Sequence, residues 1–319
     1  MSRFIDGSTR GVYAIAPTPF KADGELDLHS VRTMCDFFVS HGVSGLTILG
    51  MMGEAPKLSA EESLTVARTV LEHLNGAIPV VVGVSSAGTD SLVNLSQAVM
   101  DLGAAGVMVA PIPSLKTDES IHGYFAQVCQ RLDQTPVCLQ DYPQTLGVHF
   151  SAPLLTQIFH DCPNIAMLKH EDNPGLGKLS RFRALCEENL TRRVSILTGN
   201  GAMYLPQEMA RGADGAMTGF AFPEMLTEVV DLFSKGENEA GETLFDAFLP
   251  LVRHELQPGV GLAIRKYVLA QRGAIADANL RSPGPGLTAD DVAEVTGLWQ
   301  RLNRRLIELG RPPVAGVAT

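Results

Sequence analysis

The feature that most constrains the fold is a short apolar run followed by an amphipathic stretch of about 15 residues, a unit that recurs along the chain. The apolar runs are residues 12–16, 45–49, 79–84, 106–110, 136–140, 165–168, 194–197 and 213–217. The amphipathic stretches are residues 27–41, 60–74, 90–102, 118–132, 152–160, 174–188, 202–211 and 223–234. Runs that are apolar throughout are typical of parallel strands buried on both faces. The pattern therefore predicts strands and helices that alternate around a parallel sheet.

Eight strand–helix units are enough to close a barrel, so the favoured fold class is α/β, a (β/α)8 TIM barrel with a C-terminal helical extension. A doubly wound open sheet is the alternative, but it requires a glycine-rich phosphate-binding turn after the first strand. The sequence at that point, Ala16-Pro17-Thr18-Pro19-Phe20, is not such a turn. The barrel is therefore preferred.

Local signals at the ends of several stretches agree with helices. Ser59 and Thr117 each precede a first turn that contains acidic residues, as a helix cap does. Gly42, Gly103 and Gly212 directly follow three of the stretches, where a left-handed backbone is expected to end a helix. These signals predict where five helix ends lie.

The pattern changes to helix alone after the eighth unit. Helical stretches cover residues 237–255, 260–272 and 288–309, and a segment rich in proline and glycine at residues 282–286 precedes the last of them. We expect residues 1–235 to form the catalytic barrel and residues 236–319 a C-terminal helical subdomain. This subdomain would pack beside the barrel as an appendage or as an oligomer contact.

Composition and charge exclude several classes of function. The chain has 319 residues, of which 45% are hydrophobic and 19% charged, and its net charge is −10. Because no run is rich in lysine or arginine, neither nucleic acid nor a membrane surface is an expected partner. No apolar run approaches the roughly 20 residues of a membrane helix, and we expect a cytoplasmic protein. The five cysteines and eight histidines lack metal-ligand spacing, so we expect free thiols, no metal site and no cofactor.

The candidate active site follows from the barrel, because barrel enzymes carry their sites at the carboxyl ends of the strands. Lys169 directly follows the sixth apolar run, and Tyr142 lies two residues after the fifth. Burial would favour the neutral amine, which can attack the carbonyl carbon of a 2-oxo acid, and the phenol could move the protons that imine chemistry requires. Taken alone, the sequence around Lys169 also fits a strand-end lysine that extends into water.

Other strand ends supply candidate binding groups. Gly50 and Gly53 would allow backbone N–H groups to approach an anion, so residues 50–53 are a candidate cradle for the substrate carboxylate. Hydroxyl recognition is expected from polar residues at other strand ends, namely Ser85, Thr145, Asn200 and Thr218. Glu54 is expected to brace its loop, and Asp141 either tunes Tyr142 or faces away from it. The full substrate-binding set that we predict is Gly50, Met51, Met52, Gly53, Thr18, Asn200, Met217, Thr218 and Gly219.

Several of these residues belong to motifs that resemble those of a known family. Gly50-Met51-Met52-Gly53-Glu54, Tyr142-Pro143, Lys169 and Gly215-Ala216-Met217-Thr218-Gly219 resemble the dihydrodipicolinate synthase / N-acetylneuraminate lyase family over nearly the whole chain. The resemblance implies a (β/α)8 barrel that assembles as a homotetramer, a dimer of dimers. It also implies that Lys169 forms a Schiff base with pyruvate or another 2-oxo acid, that Tyr142 is the acid/base, and that residues 50–53 bind the carboxylate.

Three departures from the family pattern narrow the expected function. Met51 and Met52 replace the two threonines of the carboxylate loop, which removes the hydroxyl that links the tyrosine to its proton relay in the synthases. Residues 112–114 lack the tyrosine that follows the fourth strand in the synthases, and residues 143–147 lack the arginine that binds the second carboxylate of their aldehyde substrate. All three missing features serve the reaction of the synthases, which belongs to lysine biosynthesis. Their absence therefore argues against that function.

The motifs of residues 140–143, 212–219, 249–255 and 272–276 look most like the branch that contains 2-keto-3-deoxyarabonate dehydratase. We therefore expect a lyase that acts on a 2-keto-3-deoxy sugar acid, as a dehydratase or an aldolase. Two alternatives stay open: a 4-hydroxy-tetrahydrodipicolinate synthase that uses pyruvate and aspartate semialdehyde, and a catalytically silent 2-oxo acid binding protein of the same fold.

Overall fold

A computed structural model describes residues 4–188 and 190–316. Its eight strands close into a parallel barrel in which each strand pairs with its neighbours in chain order and β8 pairs with β1. The strands are β1 Gly11–Ile15, β2 Gly45–Ile48, β3 Val80–Gly83, β4 Gly106–Val109, β5 Val137–Asp141, β6 Ile165–His170, β7 Ser195–Thr198 and β8 Gly215–Ala216. The predicted (β/α)8 barrel is thereby confirmed.

The helices that cover the barrel are α1 Leu28–Ser40, α2 Ala60–Leu74, α3 Thr89–Asp101, α4 Asp118–Leu132, α5 Pro143–Leu146, α6 Ala152–Asp161, α7 Leu176–Glu187, α8 Leu205–Ala210 and α9 Pro223–Ser234. The short helix α5 is an addition to the pattern read from the sequence. The predicted helix over residues 202–211 is shorter than expected, because a 3₁₀ turn with left-handed backbone occupies Asn200–Ala202 before α8 begins.

Helix ends behave as the local signals predicted. Ser59 caps α2 in a capping box with Glu62, and the Thr117 side chain accepts a hydrogen bond from the N–H of Ser120 at the start of α4. Positive φ angles follow α1, α3 and α8 at Gly42, Gly103 and Gly212, which only a residue without Cβ adopts at little cost.

Strand alternation divides the core into two layers. Outward-facing residues such as Val12, Val82 and Leu168 pack against the helices in one large cluster. Inward-facing residues fill the barrel interior in a second cluster, which consists of Ile5, Tyr13, Ile15, Val81, Ala105, Met108, Cys138, Met167, Leu197 and Met217. The interior is therefore a packed core rather than a channel.

The C-terminal tail forms α10 Asn238–Glu255, α11 Gly261–Gln271 and α12 Ala289–Glu308, as predicted within one residue at each end. An aromatic cluster of Phe222, Phe248 and Trp299 joins it to the end of the barrel. Two side chains of α11, Arg265 and Lys266, also reach back to the loops after β8, β1 and β2. The division into a barrel of residues 1–235 and a subdomain of residues 236–319 remains a prediction.

The described part of the chain contains no helix that is both long and apolar enough to span a bilayer. Its five cysteines are free thiols, and all except Cys186 are buried.

Candidate active site

Strand alternation places Lys169 inside the barrel. Met167 belongs to the inner core cluster and Leu168 to the outer one. Because side chains two residues apart share a face of a strand, Lys169 lies on the inward side, one layer above Met167 and near the carboxyl end of β6. The side chain is buried. The alternative of a strand-end lysine that extends into water is therefore wrong.

The Lys169 amine has a carboxylate partner. Its Nζ lies 2.9 Å from Glu171 Oε2, and the same oxygen accepts a hydrogen bond of 2.6 Å from Gln140 Nε2. Both Glu171 and Gln140 are buried. Glu171 is therefore placed to accept the proton that must leave the nitrogen before it attacks a carbonyl.

Gly199 makes room for this carboxylate. A Cβ atom at Gly199 would lie 2.3 Å from Cγ of Glu171, far inside contact distance. Any larger residue after β7 would therefore displace Glu171 from Lys169.

A cavity of about 270 Å³ opens above Lys169 at the carboxyl ends of the strands. Its walls are Ile15, Gly50, Met51, Met52, Gln140, Tyr142, Thr145, Lys169, Glu171, Asn200, Gly201, Thr218, Gly219, Leu256 and Arg265. A cavity of this size suits a small molecule. A larger cavity of 680 Å³ lies at the amino ends of β5 and β6, and none of the predicted site residues lines it.

Tyr142 and Lys169 share the wall of this cavity, as their positions at neighbouring strand ends predicted. Tyr142 faces the inside of the barrel, as Cys138 and Gln140 do, because side chains two residues apart share a face. Asp141 lies between Gln140 and Tyr142 and has the opposite orientation. The Asp141 carboxylate is fully buried and pairs at 2.6 Å with Lys178 on α7. Of the two roles considered for Asp141, the structure shows the one in which it faces away from the cavity.

The predicted carboxylate loop forms a 3₁₀ turn over Met51–Gly53, with Gly50 at its start. The N–H groups of Met51 and Met52 open this turn, where no preceding carbonyl of the turn can accept them. Glu54 braces the loop as expected, because its carboxylate accepts hydrogen bonds from Lys57 (2.8 Å) and Lys266 (2.6 Å).

Three predicted binding residues lie outside the cavity wall. Thr18 is buried and donates its hydroxyl to the carbonyl of Gly53 at 2.6 Å, so it supports the loop from behind. Gly53 itself closes the turn. Met217 is fully buried one layer below, where its sulfur lies 3.8 Å from Cys138 Sγ. A direct role of these residues in substrate binding remains a prediction.

Among the predicted polar residues, Thr145, Asn200 and Thr218 reach the cavity wall and Ser85 does not. Asn200 donates from Nδ2 to the carbonyl of Glu171 at 2.8 Å, which ties the loop after β7 to the end of β6. Ser85 Oγ accepts the N–H of Ala110 at 2.8 Å. Asn200 and Ser85 therefore have structural partners in this state.

Several residues of the cavity wall were not predicted from the sequence. Glu171 was identifiable, because it follows Lys169 by two residues and so shares its face. Gln140 was identifiable in the same way from Tyr142. Leu256 and Arg265 come from the end of α10 and from α11, and no local pattern marks them.

Arg265 enters the wall as part of a buried ion pair. Its Nε lies 2.5 Å from Glu255 Oε1, and its Nη2 donates to the carbonyl of Gly219 at 2.8 Å. Burial raises the pKa of Glu255, although the neighbouring guanidinium opposes this effect. The guanidinium is thus held by α10 on one side and by the loop after β8 on the other.

The fold and the cavity together define a barrel enzyme whose site combines a buried lysine, a carboxylate and a tyrosine at the carboxyl ends of the strands. Residues 8–301 match the model of the dihydrodipicolinate synthetase family, and the chain belongs to that family. It is accordingly a lyase, as the resemblance in its motifs implied. No cluster of three potential metal ligands occurs within residues 4–188 and 190–316.

Known proteins similar to the chain include members with two different activities. L-2-keto-3-deoxyarabonate dehydratase of Azospirillum brasilense is 30% identical over 298 residues, which are 92% of this chain and 94% of that protein. 4-Hydroxy-tetrahydrodipicolinate synthase of Methanococcus maripaludis is 27% identical over 76% of this chain and 82% of that protein. A crystal structure described as dihydrodipicolinate synthase from Rhodopseudomonas palustris superposes with a TM-score of 0.92 at 46% identity, covering 94% of this chain and all of that one.

Proposed function

We propose that the protein forms a Schiff base between Lys169 and the keto carbon of a 2-keto-3-deoxy sugar acid, and that it acts as a dehydratase or an aldolase. The observation that carries the proposal is the position of Lys169 Nζ, buried at the wall of a small cavity at the carboxyl end of β6. An amine in that position can meet a carbonyl carbon while bulk water is excluded.

Glu171 has the geometry to prepare the amine. Its Oε2 is 2.9 Å from Nζ and is oriented by Gln140, so it can accept the proton that Lys169 must lose. The free amine then attacks C2 of the substrate, and loss of the C2 oxygen as water leaves the protonated imine. Lys169 is the nucleophile in this step, and Glu171 and Gln140 position it.

The imine acidifies C3 because it can accept the electron pair that the departing proton leaves behind. The resulting enamine can expel the C4 hydroxyl, which is a dehydration. Cleavage of the C3–C4 bond would instead make the enzyme an aldolase. The name of the Azospirillum brasilense relative supports dehydration. Tyr142, on the same cavity wall, is the proposed acid/base for these proton transfers.

The substrate carboxylate would bind at residues 50–52, where the N–H groups of Met51 and Met52 open the 3₁₀ turn. Backbone donors can serve an anion whatever side chains they carry, so the methionines are compatible with this role. A homotetramer and a cytoplasmic location remain predictions from the family resemblance.

Borohydride trapping tests the proposal. The protein is incubated with pyruvate or with 2-keto-3-deoxy sugar acids, reduced, digested and mapped by mass. We expect the added mass at Lys169, its loss in Lys169→Ala, and its retention in Lys235→Ala, which removes an exposed lysine as a control. Label at another lysine, or no label in the folded wild-type protein, would contradict the proposal.

A 4-hydroxy-tetrahydrodipicolinate synthase is the second candidate, and the 46% identical structure from Rhodopseudomonas palustris, described as such a synthase, favours it. Turnover distinguishes the two. Condensation of pyruvate with aspartate semialdehyde at a higher kcat/KM than turnover of any 2-keto-3-deoxy sugar acid would establish the synthase. Steady turnover of either substrate would exclude a catalytically silent binding protein.

A further inference from the structure

A group of charged side chains lies behind the active site, on the outer face of the barrel. Asp141 and His170 end β5 and β6 and are opposite each other in the strand register. Both are buried, and His170 Nδ1 lies 3.5 Å from Asp141 Oδ2. Neither side chain lines the cavity above Lys169, so the proposed chemistry leaves both without a role.

Lys178 of α7 connects the ends of these two strands. Its Nζ lies 2.6 Å from Asp141 Oδ2 at the end of β5 and 2.7 Å from Asp172 Oδ2 in the loop after β6. It also donates to the carbonyl of Phe150 at 3.0 Å. We call Lys178, Asp141 and Asp172 the Lys178 bridge. Because one ammonium pairs with both carboxylates, α7 holds the end of β5 next to the segment that follows β6.

Packing at the start of α7 keeps the bridge in place. His170 Nε2 donates to the carbonyl of Gly175, the residue before α7, at 3.1 Å. A Cβ at Gly175 would lie 2.5 Å from the same nitrogen, so a larger residue would displace the imidazole. The start of α7, and with it Lys178, is therefore fixed against the end of β6.

The two residues of the proposed chemistry are direct neighbours of this group in the sequence. Tyr142 follows Asp141, and Lys169 precedes His170. Successive strand residues point to opposite faces, so a constraint on the outer residue of each strand also constrains its inner neighbour. The pairing of β5 with its neighbours ends at Asp141, and Tyr142 lies one residue beyond it. The strand ladder therefore does not hold Tyr142 directly, whereas the Lys178 bridge holds the residue before it.

Burial makes this contact a strong constraint. A carboxylate that is removed from water needs a nearby cation or hydrogen-bond donors, and Asp141 is fully buried. Within residues 4–188 and 190–316, Lys178 is the lysine or arginine that pairs with it. A shift of the β5 end would separate this pair. A misplacement of about 1 Å can lower the rate of a catalysed step about 100-fold, so such a constraint matters for catalysis.

We propose that the Lys178 bridge is a set of positioning residues, which holds the Tyr142 phenol within reach of C3 of a substrate bound at Lys169. This proposal rests on the proposed function, because it assumes that Tyr142 moves protons on a Schiff base at Lys169. The bridge residues do not line the cavity. Their loss is therefore expected to slow proton transfer and to leave the amount of Schiff base at equilibrium unchanged.

Deuterium exchange into the methyl group of pyruvate tests the proposal, because it does not depend on the natural substrate. In heavy water, pyruvate forms the imine at Lys169, loses a C3 proton to give the enamine, and gains a deuteron at C3. Proton NMR measures the exchange rate, and borohydride trapping measures the amount of adduct. Asp141→Asn keeps the shape of the side chain and leaves Lys178 paired with Asp172. It should slow exchange about 10- to 100-fold and leave the amount of adduct unchanged.

A double-mutant cycle separates positioning from a general loss of structure. In the Tyr142→Phe background no phenol remains to be positioned, so adding Asp141→Asn should leave the remaining exchange rate unchanged. A purely structural effect would slow exchange by the same factor in both backgrounds. Asp172→Asn releases the other carboxylate of the bridge, on a half-buried side chain, and provides the same cycle should Asp141→Asn not fold. Asp231→Asn/Lys235→Met removes an exposed ion pair at the end of α9 and should leave exchange unchanged.

The proposal is overturned if the folded bridge variants exchange as fast as wild type, or if exchange slows by the same factor with and without the phenol. A wild-type protein that forms the adduct but does not exchange C3 protons would overturn it as well, because Tyr142 would then have no proton transfer to perform. Absence of the pyruvate adduct in wild type would instead refute the proposed function, so the two failures are distinguishable.

Discussion

Two buried lysine–glutamate pairs of this protein differ in what else surrounds the amine. Lys266 Nζ lies 2.6 Å from Glu54 Oε1 and also donates to the carbonyls of Thr18 (2.7 Å) and Asn279 (2.8 Å). It is fully buried, and Phe20 covers it with its ring centroid 4.6 Å away. Lys169 is paired with Glu171 at 2.9 Å and faces a cavity.

The comparison shows that burial alone does not identify a reactive lysine. Burial lowers the pKa of Lys266 although Glu54 opposes the effect. Three acceptors nevertheless saturate this amine, and Lys266 does not line the cavity above Lys169. Lys266 instead holds the loops after β1 and β2 in place, and with them the proposed carboxylate site. Lys169 differs from Lys266 because its amine faces a cavity and has fewer hydrogen-bond partners.

Replacing each lysine by methionine should separate the two roles. Lys169→Met is expected to lose turnover on the order of 10⁴-fold or more and to lose the trapped adduct, because it removes the nucleophile. Lys266→Met should lower the free energy of unfolding by about 3 kcal/mol, because Glu54 and two carbonyls lose a donor while Lys57 still pairs with Glu54. Trapping of the folded fraction measures the loss of the adduct, and urea unfolding measures the loss of stability. Adduct formation in Lys169→Met, or an unchanged stability of Lys266→Met, would break the distinction.

Tyr142→Phe tests whether the cavity wall beside Lys169 supplies the acid/base. The variant keeps the ring and removes the hydroxyl, so it should still bind 2-oxo acids and turn over at least about a hundredfold more slowly. Steady-state kinetics together with pyruvate binding measure this split. An unchanged kcat would remove Tyr142 from the mechanism.

Glu208 extends the comparison to a buried carboxylate without a cation partner among the described residues. Burial raises its pKa from 4.5 to about 7, and its Oε2 has no hydrogen-bond partner in the described structure. Between these values the native state holds a proton that the unfolded state has lost, so this group makes stability fall as pH rises from about 4.5 to about 7. The loss is at most about 3 kcal/mol and persists above that range.

Glu208→Gln should therefore flatten the dependence of stability on pH between 5 and 7 and be more stable than wild type at pH 8. Chemical denaturation at a series of pH values measures the free energy of unfolding of the variant and of wild type. Parallel curves for the variant and wild type would show that Glu208 is not the titrating group.

Glu171→Gln is the test with the smallest expected effect, because it preserves the shape of the Lys169 pair and removes only its negative charge. The amide cannot accept the proton that Lys169 must lose, so the adduct with pyruvate should form several-fold more slowly in the variant. The rate of trapping with pyruvate measures this effect, and Glu61→Gln on the exposed start of α2 serves as the control. A rate equal to that of wild type would mean that Glu171 does not take up the proton of the amine.

Most of the barrel was predictable because each strand and helix has a local signature. A run that is apolar throughout predicts a doubly buried strand, and the observed strands lie within these runs or at most two residues beyond them. The turn at Asn200–Ala202 was not predictable, because its left-handed backbone depends on contacts such as the hydrogen bond from Asn200 to Glu171. The same holds for Glu171 as the partner of Lys169, for which the strand period gives the face but not the distance.

The sequence by itself determined the repeat, and with it the closed barrel, the inward face of β6 and the strand ends at which Lys169 and Tyr142 meet. Hydrophobic periodicity encodes these features because it acts over a few residues. Only the tertiary structure decided that α11 places Arg265 in the cavity wall and Lys266 behind the loop after β2. Such contacts join residues far apart in the chain, and they depend on how α11 packs on the barrel rather than on any local pattern.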